Sequence, residues 1–467
     1  MGILFLLIIK NNGIMKKSWL YLPIETKVRE LHGKTLLACF AAMKGFNVLI
    51  GAKKDIHARI PFLPKGTIFN FGLAKNMAKN SKMYKKYGHK VAVIDEEGLV
   101  TLNDDLYLRH RVSKEALEVA DTCFCWGERQ ARLIQKVAGG TNCKICVTGN
   151  PRFDMLKPEY RTIFKKDVEK IKEKYGQFIL INTNFGHGNH FAGDNFLLES
   201  FKEKGWMKDS KDKEFFLSNM KWHKRMLIKF SEMIPELSNN FENYKIIIRP
   251  HPSENQDYWK KIAKKYPNVS VVHSGNVIPW LMAADLLVHN GCTTAIESFI
   301  LGTKTVAYRP FIVADQETEL PNVISTQVYN MAELLDAVDK IVNTHVLDYK
   351  EAVDKTYLDD YLVGIYEKTA SENIVSHLQA STDNVLKSRR INYFLLLYFQ
   401  IFFLAKKLIQ KILFHTDVSG SYLNHKMADL SKDEISEIIS GFSKINKDFT
   451  SIRIRKIGGT CFRIYEK

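Results

Sequence analysis

The sequence predicts an α/β protein built of two Rossmann-like domains that face each other across a central cleft. From Trp19 to Lys350, short β-rich runs alternate with helical stretches, which is the pattern of parallel βαβ units. The alternation breaks once, at residues 151–176, where a turn-rich exit and a charged helix lead to a fresh apolar strand. A length of 467 residues with 45% hydrophobic content suits two or three domains.

Each predicted strand is a short run rich in β-branched or aromatic residues and bounded by Gly, Pro, Asn or Asp. The first domain should contain the strands Trp19–Leu22, Phe46–Ile50, Val91–Ile94, Thr122–Cys125 and Ile145–Thr148. The second should contain Phe178–Asn182, Tyr244–Ile248, Val269–Val272, Leu286–His289 and Thr305–Tyr308. Helical patterns fill the intervals, for example Val28–Lys44, Phe216–Met233 and Thr294–Leu301.

These elements divide the chain into five predicted segments. They are an N-terminal domain (15–150), a linker (151–176), a C-terminal domain with its closing helices (177–385), a membrane-associating segment (387–414) and a small α+β appendage (415–467). In the appendage, Ser431 and Glu434 form a capping box that opens a helix, and Gly458-Gly459 turns a hairpin.

The charge is strongly basic, with 68 Lys and Arg against 51 Asp and Glu, a net charge of +17. A surplus of this size predicts an anionic partner. Residues 391–405 form an aromatic, apolar run with basic residues on both sides, shorter than the ~20 residues that cross a bilayer. We therefore expect a cytoplasmic protein held peripherally on the inner face of the cytoplasmic membrane. A buried or partner-docking helix is the alternative. Nucleic acid is not expected, because the basic residues are dispersed and no RNA-binding motif is present.

No metal or other cofactor is predicted. Cys123 and Cys125, with Cys143 and Cys146, have spacings that resemble a zinc site, but three of the four lie in apolar strand-like runs and no His follows at zinc-finger spacing. His187 and His190 also lack a nearby carboxylate partner.

Polar residues follow the strands of the second domain, at the edge where ligands bind in open α/β sheets. After one strand, Arg249 and His251 are stiffened by prolines, including Pro252. An Arg fork suits phosphate, and a His can donate to a phosphate oxygen or protonate a leaving group. Another strand ends in His-Asn-Gly-Cys-Thr-Thr before a helix, whose free N–H groups attract anions. Glu297 in the first turn of that helix is suited to ribose hydroxyls or to the helix dipole. The residues predicted to bind the donor nucleotide are Arg249, Pro252, Asn290, Gly291, Thr293, Thr294, Glu297, Asn182, Asn184 and Gly186.

Carboxylates follow a strand of the first domain. Asp95, Glu96 and Glu97 are adjacent, so each should raise the pKa of the others and make one of them a general base. Because side chains at a strand end alternate in direction, about two of the three should face the cleft. Glu25, Arg29 and Glu30 join the first strand to its helix and are expected to contact the acceptor.

Together these motifs resemble GT-B glycosyltransferases that use CMP-activated sugars. Bacterial sialyltransferases of that fold carry an acidic-acidic-Gly motif and a His-Pro motif. Asp95-Glu96-Glu97-Gly98 and His251-Pro252 resemble that pair. Capsule Kdo transferases share the His-Pro strand end and the later small-residue turn. The segment 22–31 is similar to surface carbohydrate biosynthesis proteins. The resemblance implies metal-independent catalysis by Asp95, Glu96 or Glu97, with His251 acting on the departing phosphate.

The function expected from the resemblance is transfer of a nonulosonate or Kdo-like sugar from a CMP-sugar to a surface glycan, such as capsule or lipopolysaccharide. Three alternatives stay open. The segment 149–154 together with the His-Pro motif also suits a CDP-polyol phosphotransferase of the teichoic-acid type. The others are a UDP-sugar 2-epimerase-like enzyme and a non-catalytic scaffold that docks with other glycan-assembly proteins.

Overall fold

The computed structural model describes residues 18–344, 355–382 and 430–467, and in it the chain forms two α/β domains, each around its own parallel sheet. This confirms the predicted GT-B-like arrangement of two Rossmann-like halves. The predicted membrane-associating segment, 387–414, lies outside the described residues. None of the helices in the described ranges combines the length and apolar character needed to span a bilayer.

The N-terminal sheet has six parallel strands in the order β2-β1-β3-β4-β5-β6. They are β1 (Trp19–Ile24), β2 (Asn47–Ala52), β3 (Thr67–Asn70), β4 (Lys90–Ile94), β5 (Thr122–Cys125) and β6 (Lys144–Val147). Strand β3 was not predicted, because it is only four residues long and ends at the polar Asn70. β1 and β2 are buried along their whole length, as expected for central parallel strands.

Seven helices connect these strands and cover both faces of the sheet. They are α1 (Lys27–Met43), α2 (Lys53–Arg59), α3 (Lys75–Lys86), α4 (Asp104–Arg111), α5 (Lys114–Val119), α6 (Glu128–Ala138) and α7 (Pro151–Asp154), with a 3-10 turn at Ile60–Phe62. Side-chain oxygens of Asn103, Ser113 and Asn150 cap three of them. Each of these oxygens satisfies a backbone N–H that has no partner within its helix, and so fixes where the helix begins.

The C-terminal sheet also has six parallel strands, in the order β12-β11-β10-β7-β8-β9. They are β7 (Phe178–Asn182), β8 (Lys245–Arg249), β9 (Val269–Val271), β10 (Leu286–His289), β11 (Lys304–Tyr308) and β12 (Thr326–Val328). Its helices are α8 (Lys165–Tyr175), α9 (Gly193–Glu203), α10 (Ser210–Asn240), α11 (Gln256–Ala263), α12 (Ile278–Ala283), α13 (Thr293–Leu301), α14 (Glu319–Val323) and α15 (Met331–Asp339). Short 3-10 turns lie at Tyr160–Phe164 and Ala314–Gln316, and a π-turn at Lys340–Thr344.

The chain then returns to the first domain, which the predicted boundary at residue 385 did not anticipate. Helices α16 (Lys355–Tyr361) and α17 (Ala370–Thr382) pack against the N-terminal sheet and its helices. The carboxylate of Asp154 accepts hydrogen bonds from the backbone N–H groups of Ala370 (2.7 Å) and Ser371 (3.0 Å). Because these are first-turn donors of α17, the carboxylate satisfies the start of the returning helix.

Residues 430–467 extend the N-terminal sheet and are not a separate appendage. Helix α18 (Lys432–Ile445) packs on α1, a 3-10 turn follows at Lys447–Ser451, and the hairpin β13 (Ile452–Gly458) and β14 (Cys461–Glu466) adds to the sheet. Strand β14 pairs antiparallel with β2, which gives an eight-stranded sheet. The hairpin buries apolar residues such as Phe462 against β2, and this burial is what attaches it. The capping box is confirmed, since the Ser431 hydroxyl accepts from the Glu434 backbone N–H (3.0 Å).

Candidate active site in the interdomain cleft

A buried group of charges lies at the carboxyl edge of the N-terminal sheet, where α1 begins. The carboxylate of Glu30 accepts from the backbone N–H of Thr26 (2.7 Å) and caps α1. The ammonium of Lys34 donates to Glu30 (2.7 Å) and lies 3.3 Å from the carboxylate of Glu96. All three charged side chains are buried. Glu30 was expected to contact an acceptor; in the structure it is committed to the helix cap and to Lys34.

Glu96 is the carboxylate of this group whose protonation is most altered. Burial raises the pKa of Glu96, and the nearby Glu30 adds to the rise, while the ammonium of Lys34 opposes it; the net shift is upward. The Asn150 amide donates to the same carboxylate (3.3 Å). A carboxyl group with a raised pKa and a fixed orientation is suited to accept and return a proton.

The two neighbouring carboxylates behave differently, which corrects the expectation that all three raise one another. Asp95 is buried and receives two hydrogen bonds from the Arg111 guanidinium (2.6 and 3.2 Å), so it is held inside the domain. Glu97 is 47% exposed and pairs with Arg29. Burial within the cleft acts to raise the pKa of Glu97, but the charges of Arg29, Arg111 and Arg152 outweigh it and lower the pKa to about 2. Glu97 is therefore a fixed negative charge.

The remaining residues predicted to bind an acceptor lie at the mouth of this region. Arg29 faces the cleft through its pairing with Glu97, and Glu25 forms an ion pair with Lys53 (3.0 Å). Both ion pairs are partly exposed and are therefore accessible to a ligand.

On the opposite side of the cleft, two turns of the C-terminal sheet hold each other in place. The backbone N–H of Asn184 donates to the side-chain oxygen of Asn290 (2.9 Å), and the Asn290 amide donates back to the Asn184 carbonyl (3.4 Å). Gly291 has φ +82°, and a Cβ there would lie 2.5 Å from the hydroxyl oxygen of Thr318. Only glycine fits this turn, which delivers the chain to α13 at Thr293.

The start of α13 differs in detail from the prediction. Cys292 is the N-cap residue, and the Thr294 hydroxyl lies 2.7 Å from its sulfur. The side chains of Thr293 and Thr294 are partly exposed at the start of the helix. A nine-residue helix that begins at a sheet edge directs its first N–H groups and its positive dipole end toward an anion in the cleft.

Three polar residues form a row across the ends of β8, β7 and β10, namely Arg249, Asn182 and His289, which are paired in register. Arg249 donates to the carbonyls of Ser274 (2.9 Å) and Gly275 (3.2 Å), so it holds a loop, contrary to the expectation that it binds phosphate. Burial lowers the pKa of His289 to about 3, so its imidazole is neutral. Asn182 is buried, and neither polar atom of its side chain has a hydrogen-bond partner within the described part of the chain.

The His-Pro turn lies at the end of β8. His251 and Pro252 are exposed, and the His251 ring nitrogen Nδ1 lies 2.7 Å from the Ser253 hydroxyl. Gly186, in the turn after β7, packs directly against Ser253 and leaves no room for a Cβ. The structure therefore brings His251 and Gly186 together.

Glu254 fixes this turn, and the sequence analysis did not identify it. Its buried carboxylate accepts from the hydroxyl of Thr183 (2.8 Å), from the indole of Trp259 (2.9 Å) and from the His251 backbone N–H (3.1 Å). The sequence feature that could have predicted this role is the position of Glu254, three residues after His251, because a side chain at this spacing can accept a local backbone hydrogen bond.

The two halves of the site meet at α7. Across the domain boundary, Nε of Arg152 donates to Oε1 of Glu297 (2.9 Å), and Nη2 lies 2.7 Å from the same oxygen. Both donors engage one oxygen, and Oε2 of Glu297 is buried without a partner among the residues described. A second contact crosses the cleft at α4, where Arg109 pairs with Asp212 at the start of α10 (2.7 Å). In the sequence, Arg152 belongs to the segment 149–154 that also suited a CDP-polyol phosphotransferase, and its contact with Glu297 was not predicted.

Metal-ligating side chains do not cluster in the described ranges, where no group of three or more His, Cys, Asp or Glu has a suitable arrangement. The cysteines Cys123 and Cys125 lie buried on β5, as expected of small apolar residues.

Comparisons with known proteins give fold neighbours only. No protein-family model matches the chain, and no curated protein matches it. Similar solved structures include Staphylococcus aureus MnaA with UDP, at 11% identity over 79% of this chain and 98% of that one, with a TM-score of 0.46. UDP-GlcNAc 2-epimerase of Neisseria meningitidis bound to UDP-GlcNAc matches at 14% identity over 79% and 100%, with a TM-score of 0.47. The enzyme of Methanocaldococcus jannaschii with UDP-GlcNAc and UDP matches at 13% over 78% and 100%, with a TM-score of 0.45.

These comparisons correct one prediction of the sequence analysis. The chain was expected to be a glycosyltransferase with a CMP-linked donor, as in sialyltransferases and Kdo transferases. Two of the similar structures named above are UDP-GlcNAc 2-epimerases, and this finding overturns that expectation.

Proposed function

We propose that the chain binds a nucleotide-linked sugar in the interdomain cleft and inverts one carbon of the sugar, as a UDP-sugar 2-epimerase-like enzyme. One observation carries the proposal: α7 joins the two halves of the site. Its cap residue Asn150 contacts Glu96 (3.3 Å), and Arg152, two residues later, contacts Glu297 (2.9 Å). A group suited to proton transfer and a turn suited to a nucleotide are thereby held close together.

The C-terminal edge supplies the groups that would bind the nucleotide. The glycine turn and the first N–H groups of α13 favour the diphosphate, and the exposed imidazole of His251 donates to one of its oxygens. The free oxygen Oε2 of Glu297 is placed to accept from the hydroxyl groups of ribose. Asn182, with donor and acceptor both unpartnered in the described structure, offers two further hydrogen bonds.

The N-terminal edge supplies the proton chemistry. Inversion at a carbon removes a proton from one face and returns one to the other, so atoms and electrons balance overall. Burial raises the pKa of the Glu96 carboxyl above its ordinary value, which makes this group better suited to carry a proton. The Lys34 ammonium, 3.3 Å away, stabilises the carboxylate that remains after the proton is given up. UDP-GlcNAc is the first substrate to test, because the epimerases named above bind it.

The experiment is incubation of the purified protein with UDP-GlcNAc in D₂O, followed by ¹H NMR. We expect deuterium at C2 of the sugar and the appearance of the C2 epimer. Glu96→Gln should reduce the rate by about 10²-fold or more, as loss of a general acid or base does. Glu115→Gln, on the outer helix α5 and paired with Lys82, is the matched control and should retain the rate.

Two results would contradict the proposal. One is tight binding of UDP-GlcNAc with no exchange at C2. The other is consumption of CDP-glycerol with release of CMP while UDP-GlcNAc is left unchanged, which would favour polyol phosphate transfer.

The expected peripheral membrane attachment is a separate proposal. It predicts that the full chain cosediments with anionic vesicles at low salt and is released at high salt. A variant that lacks residues 387–414 should not cosediment. Equal sedimentation of both proteins would assign that segment another role.

A further inference from the structure

We propose that Arg152 is a positioning residue that orients Glu297 across the domain boundary, so that the free oxygen of Glu297 recognises the ribose hydroxyls of the bound nucleotide. This inference rests on the proposed function, because it requires a nucleotide in the cleft. It adds a residue from the N-terminal half to nucleotide recognition, which otherwise belongs to the C-terminal half.

The geometry of the ion pair supports this role. Both guanidinium donors of Arg152 reach the same oxygen, Oε1, at 2.9 and 2.7 Å. The side chains are 11% and 1% exposed, so water competes little for either group. If the guanidinium of Arg152 had contacted both oxygens of Glu297, neither oxygen would be without a partner. The observed contact leaves Oε2 unpartnered among the described residues.

An unpartnered buried carboxylate oxygen is unfavourable, because it has lost its hydrogen bonds to water and gained none in the protein. A ligand hydroxyl at this position removes that cost. Glu297 lies one helical turn after Thr293, and residues separated by about one turn share a face of the helix. A nucleotide with its diphosphate at the start of α13 therefore has its ribose beside this carboxylate, since one turn rises about 5.4 Å.

Arg152 is held rigidly enough to fix its partner. Its backbone N–H donates to the cap oxygen of Asn150 (2.9 Å), and the carbonyl of Pro151 packs against α1 at Gly33, where a Cβ would lie 2.5 Å from it. Asp154, two residues on, caps the returning helix α17. The position of the guanidinium therefore follows the N-terminal domain, and Glu297 is held correctly only when the two domains are closed.

The test compares two ligands, UDP and 2′-deoxy-UDP, by calorimetry. In the wild type, loss of the hydroxyl should weaken binding about 10-fold, as a lost hydrogen bond to a charged group does. In Arg152→Met, UDP should bind more weakly and the ratio of the two dissociation constants should fall toward 1. Arg152→Lys, which keeps the charge, should recover part of the ratio. Arg132→Met removes an exposed ion pair with Asp360 and is the control that keeps the ratio.

The ratio of the dissociation constants of 2′-deoxy-UDP and UDP distinguishes a positioning role of Arg152 from a general structural role. A structural defect weakens both ligands equally, so an unchanged ratio in Arg152→Met overturns the inference. If that variant fails to fold, Arg152→Lys carries the same test: an unchanged ratio there overturns the inference, and a reduced ratio supports it. Failure of the wild type to bind any uridine nucleotide would overturn the proposed function as well, whereas binding with an unaffected ratio would overturn only the role of Arg152.

Discussion

The two sheet edges that face each other across the cleft present different kinds of polar group. The N-terminal edge contains buried charges that are paired with one another, with Lys34 between Glu30 and Glu96, and Arg111 on Asp95. The C-terminal edge is made largely of backbone turns and a helix start. In its described part, polar atoms of Asn182 and Glu297 are buried without partners.

This difference indicates that the two edges have different roles. Paired buried charges control which groups carry protons, because each ammonium or guanidinium stabilises a neighbouring carboxylate. Unpartnered polar atoms at the end of a strand or in the first turns of a helix are stabilised when a ligand supplies the missing hydrogen bonds. The first edge is therefore suited to chemistry and the second to binding, and α7 connects them through Asn150 and Arg152.

The largest expected effect tests the paired charges. Lys34→Met leaves the carboxylates of Glu30 and Glu96 buried without their cation, so the free energy of unfolding should fall by about 3–5 kcal/mol. Lys53→Met is a matched control, since the ammonium groups of Lys34 and Lys53 lie 4.3 and 4.6 Å from the centre of the Phe71 ring. The Lys53–Glu25 pair is 23% and 37% exposed. Such a pair contributes about 0–1 kcal/mol.

Urea unfolding of both variants measures this difference. The loss in Lys34→Met should shrink as the pH falls, because protonated carboxyl groups no longer need the ammonium. Equal small losses in the two variants would show that the N-terminal edge is not distinguished by its buried charges.

A smaller effect tests the C-terminal edge. Gly291→Ala and Gly302→Ala both place alanine at φ +82°, but only the Cβ at Gly291 meets another group, the Thr318 hydroxyl. Each should lose about 1–2 kcal/mol from backbone strain. Gly291→Ala should lose about 1–3 kcal/mol more from overpacking. Gly291→Ala should also weaken UDP binding, measured by calorimetry, while Gly302→Ala should not. Equal affinities would remove this turn from the nucleotide site.

The smallest effect distinguishes two adjacent carboxylates on the same edge. The pKa of Glu96 is raised, chiefly by burial, and that of Glu97 is lowered to about 2 by the surrounding guanidinium groups. In carboxyl ¹³C NMR, the Glu96 resonance should titrate above the ordinary pKa of a glutamate and the Glu97 resonance below it. The two resonances are assigned by their loss in Glu96→Gln and Glu97→Gln. A Glu96 that titrates at its ordinary pKa would argue against its role in proton transfer.

Much of the architecture is evident from local sequence patterns. Apolar runs that end in turn residues identified ten of the strands, and the break after Gly149 marked the change of domain. Strands β3 and β12 were missed because they are only four and three residues long. The return of α17 to the first domain was missed because its capping group, Asp154, is more than 200 positions away (|i−j| = 216). The capping box at Ser431 was predictable, but the pairing of β14 with β2 was not, because it joins residues about 400 positions apart (Arg463 with Leu49).

The sequence by itself determined that polar residues gather at the carboxyl edges of two parallel sheets, because each motif follows an apolar strand directly. Only the tertiary structure decided what each residue does there. In the sequence, Asp95, Glu96 and Glu97 are three adjacent carboxylates that cannot be told apart. In the structure each lies beside a different cation from another element: Arg111 beside Asp95, Lys34 beside Glu96 and Arg29 beside Glu97. Likewise, Arg249 binds loop carbonyls while Arg152 reaches Glu297 across the cleft. Charges act through space, so distances between elements, and not spacing along the chain, set their roles.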